Sequence, residues 1–472
     1  GRSAEAADAW RDAAAATAGQ EALEYRRLVA EHLLRAGHFD DGIAALRLVL
    51  AEVGMKLPDG PRAALAALLA RRARLRLRGL SWTETEEANL PARDRFAIDL
   101  CWSVAAGLAM ADPIRGSDFQ TRSLLLALNA GEPHRVARAL AMEGAYLAAV
   151  GGGKRAKLRA HALLEDALAL AERLGHPEGV AFARSSRGVA FYEEGKWKDA
   201  RQELERAEEL LVERCTGVAW ELATTRHFLC LVLEMMGDLG ELARRVPEYV
   251  RDAEERGDRF SATSFRNGNL NLAWLVMDDV EGARRAHAEA MAPWLSTSDY
   301  LLQHYEGLYA QVSIDLYVGD GGSAWLRMED AWPALRRSGL LNIQQLKLEA
   351  LFLKGRAAIL AALHPHPDTD VGTDRDASLQ AQGDEVLPTA AALLSEAAKI
   401  AARIDKDKMA WAAPLAQILR GGVAVARGRD EAAAAALGSA RSLLEAVDMR
   451  FLAAAVGCRL AQLTGEPVAG LG

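Results

Sequence analysis

A short string recurs along this chain, and its spacing limits the chain to very few folds. Aligned on its glycine, "YEEGKWKDARQELERAEELL" (192–211) places Gly195, Trp197, Ala200, Leu204 and Ala207 in order. Related strings give Gly37, Phe39 and Gly42, then Gly237, Leu239 and Leu242, then Asp278, Val280 and Ala283. Two more give Gly319, Gly321 and Ala324, and Gly428, Asp430 and Ala433; a diverged copy follows Gly151. The chemistry of each position is specific. A glycine ends one helix where left-handed backbone is cheap. The large residue two places on starts the next helix and fills the wedge between the two. A small residue lets the paired helices approach, and Leu204 and Ala207 continue a buried stripe at helical spacing. Upstream, Gly188 and Phe191 hold the matching small and large positions of the first helix.

This pattern resembles the tetratricopeptide repeat, in which such hairpins stack and share a continuous core. The spacing departs from that family. Gly195, Gly237, Asp278 and Gly319 are about 41–42 residues apart, against about 34 in the ordinary repeat. About seven extra residues amount to two helical turns, one for each helix of the pair. Composition agrees with helix: Ala, Leu, Glu and Arg abound and aromatics are 6%. The expected fold is all-α, tetratricopeptide-like helical-hairpin repeats forming a right-handed α-solenoid.

Along the chain, residues 1–20 read as a leading helix truncated from a longer chain, because "GRSAEAADAW" has neither an initiator Met nor an apolar signal core. The repeats are expected over 21–363. "HPHPDTDVGTDRDASLQAQGDEVLP" (364–388) reads as a flexible acidic insertion. Final repeats and a capping helix follow over 389–465, and 466–472 reads as a disordered tail. A net charge of −8 argues against a nucleic-acid partner. No run of about 18 apolar residues free of charge is present, so no membrane span is expected. Cys101, Cys215, Cys230 and Cys458 are widely spaced with no C-x-x-C, which points to a reducing, cytoplasmic setting.

Catalytic signatures are missing. No Gly-rich loop precedes a V-A-I-K strand, and there is no H-R-D-type loop, H-E-x-x-H or G-x-S-x-G. "SDFQ" (Ser117–Gln120) falls short of D-F-G in a helical setting, and "VGGGKRAK" lacks Walker spacing. His364, His366, Asp368 and Asp370 lie in a proline-rich stretch that does not pre-organise a metal site. Arg71, Arg72, Arg74, Arg76 and Arg78 form the one basic run, read as a solvated helix face rather than a site for an acidic partner. The chain is expected to be non-catalytic, with no cofactor and no metal.

The polar residues of the first helices are the candidates for binding. Counted from the small residue of each unit, the concave face takes in Tyr192 and Glu193, His227 and Glu234, Phe265 and Gly268, and Glu306 and Tyr309. The candidate groove residues are Tyr192, Arg226, His227, Arg266, Asn267, Asn269, His304 and Tyr305. Cationic, amide and aromatic groups together suit a protein or peptide segment or a small anionic effector, with arginine giving forked hydrogen bonds. Exposed polar residues on an inner wall are also ordinary in the absence of a ligand.

One long stretch, "CWSVAAGLAMADPIRGSDFQTRSLLLALNAGEPHRVARALAMEGAYLAA" (101–149), is not ordinary repeat sequence. With "RRARLRLRGL", "ERCTGVAWELATT", "ARRVPEYVRDAEERGD" and "QHYEGLYAQVSIDLYVGDGGSAWLRMEDAWPALRRS", it resembles the C-terminal region of large bacterial serine/threonine protein kinases. Those proteins carry a kinase domain and then a STAND-type ATPase ahead of a helical-repeat tail. The resemblance implies a regulatory sensor and protein-interaction module, with N-terminal ATPase and kinase domains as its partners within a longer chain. The alternative is a structural oligomerisation scaffold without a dedicated ligand.

Overall fold

The computed structural model of the chain describes residues 3–108, 112–294, 300–365 and 387–465. The first helices are α1 (Ser3–Ala16), α2 (Gly19–Arg35), α3 (Phe39–Glu52), α4 (Gly60–Arg78), α5 (Ala92–Leu108) and α6 (Pro113–Ala130). The middle ones are α7 (Pro133–Val150), α8 (Lys154–Leu174), α9 (Pro177–Glu194), α10 (Trp197–Arg214), α11 (Ala219–Met236) and α12 (Leu239–Glu255). Next come α13 (Arg259–Arg266), α14 (Leu272–Leu275), α15 (Val280–Met291), α16 (Leu302–Tyr317), α17 (Gly321–Ser338) and α18 (Gln344–Leu363). The last four are α19 (Ala390–Ile404), α20 (Ala412–Ala426), α21 (Asp430–Ala446) and α22 (Arg450–Thr464). Among the described residues there is no strand. Most of the expected insertion at 364–388 and the tail at 466–472 lie outside them.

The repeated turn explains the pairing. Gly195 closes α9 at φ 77°, donating its N–H towards the carbonyl of Tyr192, and Trp197 opens α10 two residues later. Trp197 is 1% exposed, with its ring 5.6 Å from Tyr192. The close approach of α9 and α10 depends on Gly188, because a Cβ there would stand 2.6 Å from Leu204 Cγ. Asp278, which takes the glycine's place in its repeat, adopts φ 58°. Asp258, Asp279 and Asp320 each cap a following helix by accepting a backbone N–H at 2.8–3.0 Å.

Neighbour stacking alone would leave an open array, since each repeat of a solenoid touches only the next. Here the turns are also covered by distant parts of the chain. A Cβ on Gly37 would lie 3.1 Å from Phe260 N, one on Gly195 2.6 Å from Trp411, and one on Gly237 2.7 Å from Phe451 N. Gly151 likewise sits against Gln344, and Gly339 against Ile114. The helices therefore close around a lumen, with α7, α9, α11, α16 and α18 among its walls.

One first helix is interrupted. α13 ends at Arg266, Asn267 is extended (φ −117°, ψ −174°), and Gly268 takes φ 60° before a short 3-10 turn at Gly268–Asn271. The Asn271 side chain holds the break together, its Nδ2 donating to the carbonyls of Arg266 (2.9 Å) and Ala283 (3.1 Å). The sequence spacing treats this stretch as one helix. The "NGN" triplet accounts for the difference, because both residue types favour left-handed or turn backbone over helix interior.

Candidate functional site

The lumen holds a cavity of about 600 Å³. Its walls are mainly apolar: Leu65 and Leu68 from α4, Met142 and Val150 from α7, Phe182 from α9, Trp220 and Leu231 from α11, Leu340 and Ile343 from the turn before α18, and Leu346 from its first turn. Leu65, Leu69 and Val150 remain 42–63% exposed and mark the open side. Volume and lining both fall in the range of small-molecule sites.

Polar groups converge on the α9, α16 and α18 side. Tyr192, Glu193, His227, Asn267, Asn269, Tyr305, Glu306, Gln345 and Glu349 all line the cavity. Gln345 Nε2 donates to Tyr192 OH and, at 3.0 Å, to Glu349 Oε1. Ser264 Oγ donates to Glu306 Oε2 at 3.3 Å. Gly268 brings the broken helix against Glu306, where a Cβ would stand 3.4 Å from Glu306 Cγ. None of Glu193, Glu306 and Glu349 has an ion-pair partner among the described residues.

Burial sets the charge state. Glu306 is 7% exposed, and desolvation pushes its carboxyl up to about 8. Desolvation raises Glu349 to about 7, against the hydrogen bond from Gln345. Glu193 and Glu234, which keep more of their surface exposed, are raised in the same sense by desolvation and then by Glu349. Burial lowers His227 to about 4, so its imidazole is neutral at pH 7. Several carboxyl groups thus stand protonated or nearly so, able to donate hydrogen bonds, or to ionise if a cation arrives.

The eight residues expected to form the groove divide. Tyr192, His227, Asn267, Asn269 and Tyr305 line the cavity. Arg226 points elsewhere: it bonds Glu208 at 2.8 Å and Asp252 at 3.2 Å, with its guanidinium 4.5 Å from the Tyr249 ring. Arg266 pairs with Glu254 and lies 3.5 Å from Glu289. His304 closes the start of α16, accepting from Leu301 N at 3.0 Å with its other nitrogen 3.2 Å from the Trp294 carbonyl. Glu193 and Glu306 were placed on the concave face by spacing alone. Glu349 was not, although it lies between α9 and α16 in the lumen.

The other sequence candidates are structural. Asp118 of "SDFQ" is fully buried in α6 and pairs with Arg71 at 2.5 Å and Arg122 at 3.1 Å. Arg72 pairs with Glu143 and donates to Ser117 at 3.0 Å, so part of the basic run holds α4 on the helices beneath it. "VGGGKRAK" is the turn into α8, and all four cysteines are free. His366, Asp368 and Asp370 lie outside the described residues. Among the described residues, no group of His, Cys, Asp or Glu is placed to hold a metal ion, and no helix is long and apolar enough to cross a membrane. A second cavity, of about 570 Å³ between α2, α5, α7, α9 and α11, is lined by charges such as Arg27, Glu31, Asp99 and Arg135 that bond one another.

An all-helical array around an apolar cavity with buried carboxyls is an architecture, not a particular protein. No protein-family model matches this sequence, and no curated protein matches it. The site itself must carry the functional argument.

Proposed function

We propose that this chain is a non-catalytic, ligand-sensing regulatory module: a tetratricopeptide-like, right-handed α-solenoid that takes a small effector into its lumen. The cavity of about 600 Å³ carries this reading, since apolar walls with a few convergent polar groups are what small-molecule recognition requires. A ligand there touches helices from α4 to α18 at once. It therefore favours the closed arrangement over any opened one, and that difference in affinity is the only means by which a ligand shifts a conformational equilibrium. In a longer chain of the kinase and ATPase kind that the sequence resembles, closure would bias the preceding domains.

The paired arginines weigh against the anionic effector that the sequence suggests, and a concave cavity of about 600 Å³ favours a small molecule over an extended peptide. Native mass spectrometry of the protein purified from its producing cells, with thermal unfolding before and after solvent extraction, tests the reading. Bound small molecules whose removal lowers the melting temperature support it. A Leu231→Trp variant that fills the cavity should lose the bound mass and the extraction effect while remaining folded. An empty cavity, insensitive to every apolar small molecule offered, would leave the scaffold reading ahead.

A further inference from the structure

Resting on that cavity reading, we infer that the lumen's ligand is a cationic amphiphile, an amine or ammonium group on an apolar body. Its charge would lie among Glu193, Glu306 and Glu349, and its body along the leucine-lined walls. The first ground is charge balance. Four carboxyl groups reach this region from α9, α11, α16 and α18, counting Glu234, which accepts from Asn269. Among the described residues the guanidinium that acts on this group is Arg356, which answers to Glu234 and Tyr309 and lies 5.7 Å from the Phe352 ring. Charges elsewhere on the lining are matched: Arg72 with Glu143, and Arg115 with Asp112 at 2.7 Å. Without a cation beside them, buried carboxyls are held in the protonated form, and a ligand's positive charge is what would let this cluster ionise.

A second, separate observation points to a missing partner. Asn267 (1% exposed), Gln345 (3%) and His227 (8%) line the same cavity. Each carries a side-chain atom (Nδ2, Oε1 and Nδ1 respectively) with no hydrogen-bond partner. Buried polar atoms are rarely left so, and several around one void mark a place completed by something else. Gln345 Oε1 can accept from an ammonium N–H. Tyr192, Tyr305 and Phe228 add aromatic rings around the polar end, where ring faces attract a cation once water is excluded. An anion of the same shape would hold these carboxyls in their protonated form against its own charge, and a neutral ligand would gain nothing from their capacity to ionise.

Binding of a cation there carries a proton signature. The groups titrating at the polar end are Glu193, Glu234, Glu306, Glu349 and His227, with Tyr192, Tyr305 and Tyr309 protonated and Arg356 charged. Burial raises Glu306 to about 8 and Glu349 to about 7, so both carry protons at pH 7 that an ordinary carboxyl would have lost. An arriving cation favours their ionised forms, so binding releases protons at pH 7. At pH 9 the carboxyls are already ionised and the release falls towards zero.

Isothermal titration with decylamine, decanol and decanoate, below their aggregation concentrations, tests this. Decylamine should bind at least about tenfold tighter than decanol, with decanoate weakest, as expected when a desolvated charge finds its counter-charge. The decylamine enthalpy at pH 7 should differ between phosphate and Tris buffers, and that difference should shrink at pH 9. Glu306→Gln and Glu349→Gln should each weaken decylamine by about tenfold or more while moving decanol by less than about twofold. Glu248→Gln, on an exposed face of α12, should change neither. Decanol binding as tightly as decylamine, or both glutamine variants keeping full amine affinity, overturns the cationic ligand but leaves the cavity reading standing. Failure of all three probes to bind overturns both.

Discussion

The phenol oxygen of Tyr192, on α9, accepts a hydrogen bond from Nε2 of Gln345, on α18, 153 positions further along the chain. That bond lies in the wall of the lumen, which both residues line. It joins two helices that no repeat-to-repeat stacking would bring together, and the same Gln345 nitrogen holds Glu349. Closure of the array and construction of the polar end of the cavity are therefore one event. The cover over the repeat turns completes it, with Trp197 and Trp411 6.3 Å apart between ring centroids.

Closure can be separated from turn geometry at two glycines. Gly195 and Gly175 both have positive φ, at 77° and 67°. A methyl on Gly175 meets nothing within 4 Å, while one on Gly195 meets Trp411 Cδ1 at 2.6 Å. Gly175→Ala should cost about 1–2 kcal/mol from backbone strain alone. Gly195→Ala should cost clearly more in chemical denaturation, and the excess should vanish when Trp411 is also shortened to Ala. Equal costs would mean that the Trp411 contact is not maintained.

Trp197 fills the wedge between paired helices and lies under Trp411. Trp197→Ala should destabilise by about 3–5 kcal/mol, as other large core truncations do. Urea denaturation followed by circular dichroism measures this, and an unchanged midpoint would contradict the packing described.

Stability should fall as the pH rises from about 4.3 to about 8 because of Glu306 and Glu349. Their folded-state values, about 8 and about 7, lie above the unfolded carboxyl value of about 4.3. The folded state thus binds more protons than the unfolded one between roughly pH 4.3 and 8, and stability declines with rising pH across that window. Glutamine is neutral throughout. Glu306→Gln should therefore stabilise the protein more at pH 8.5 than at pH 5, in unfolding curves recorded side by side. A gain independent of pH would show that the carboxyl is already ionised when folded.

The acid side should depend on Glu31. Burial alone would raise this carboxyl, but Arg35 at 2.9 Å, Arg27 at 2.6 Å and the Ser103 hydroxyl hold it at about 2. A depressed value contributes stability that is present above about pH 4.3 and is lost as pH falls towards 2. Glu31→Ala leaves two guanidiniums without their shared partner and should cost about 3–5 kcal/mol at pH 7. The difference from the parent protein should narrow in unfolding curves taken between pH 4 and pH 3.

The helical hairpins were legible in the sequence because their signals are local. Gly37, Gly195, Gly237, Gly319 and Gly428 all adopt positive φ, as does Asp278 in the glycine's place. A left-handed helix end favours a very small set of residues, so a turn every 41–42 positions can be read without knowing what surrounds it. Half of the site was legible for a similar reason: helical periodicity puts Tyr192, Glu193, His227 and Glu306 on one face. Periodicity could not resolve adjacent residues. Arg226 and His227 are neighbours on α11, yet about 100° of helical rotation turns His227 into the lumen and Arg226 onto Glu208 and Asp252. The break at Asn267–Asn271 escaped the spacing too, since the next turn, at Asp278, keeps the register. What only the tertiary structure decided was the closure, and with it the place of Glu349 and the acidic character of the cavity. Those contacts join positions far apart in the chain, where no local propensity or period records which surfaces meet. The charge state of a carboxyl likewise depends on the solvent that folding removes from it, not on the residues beside it in sequence.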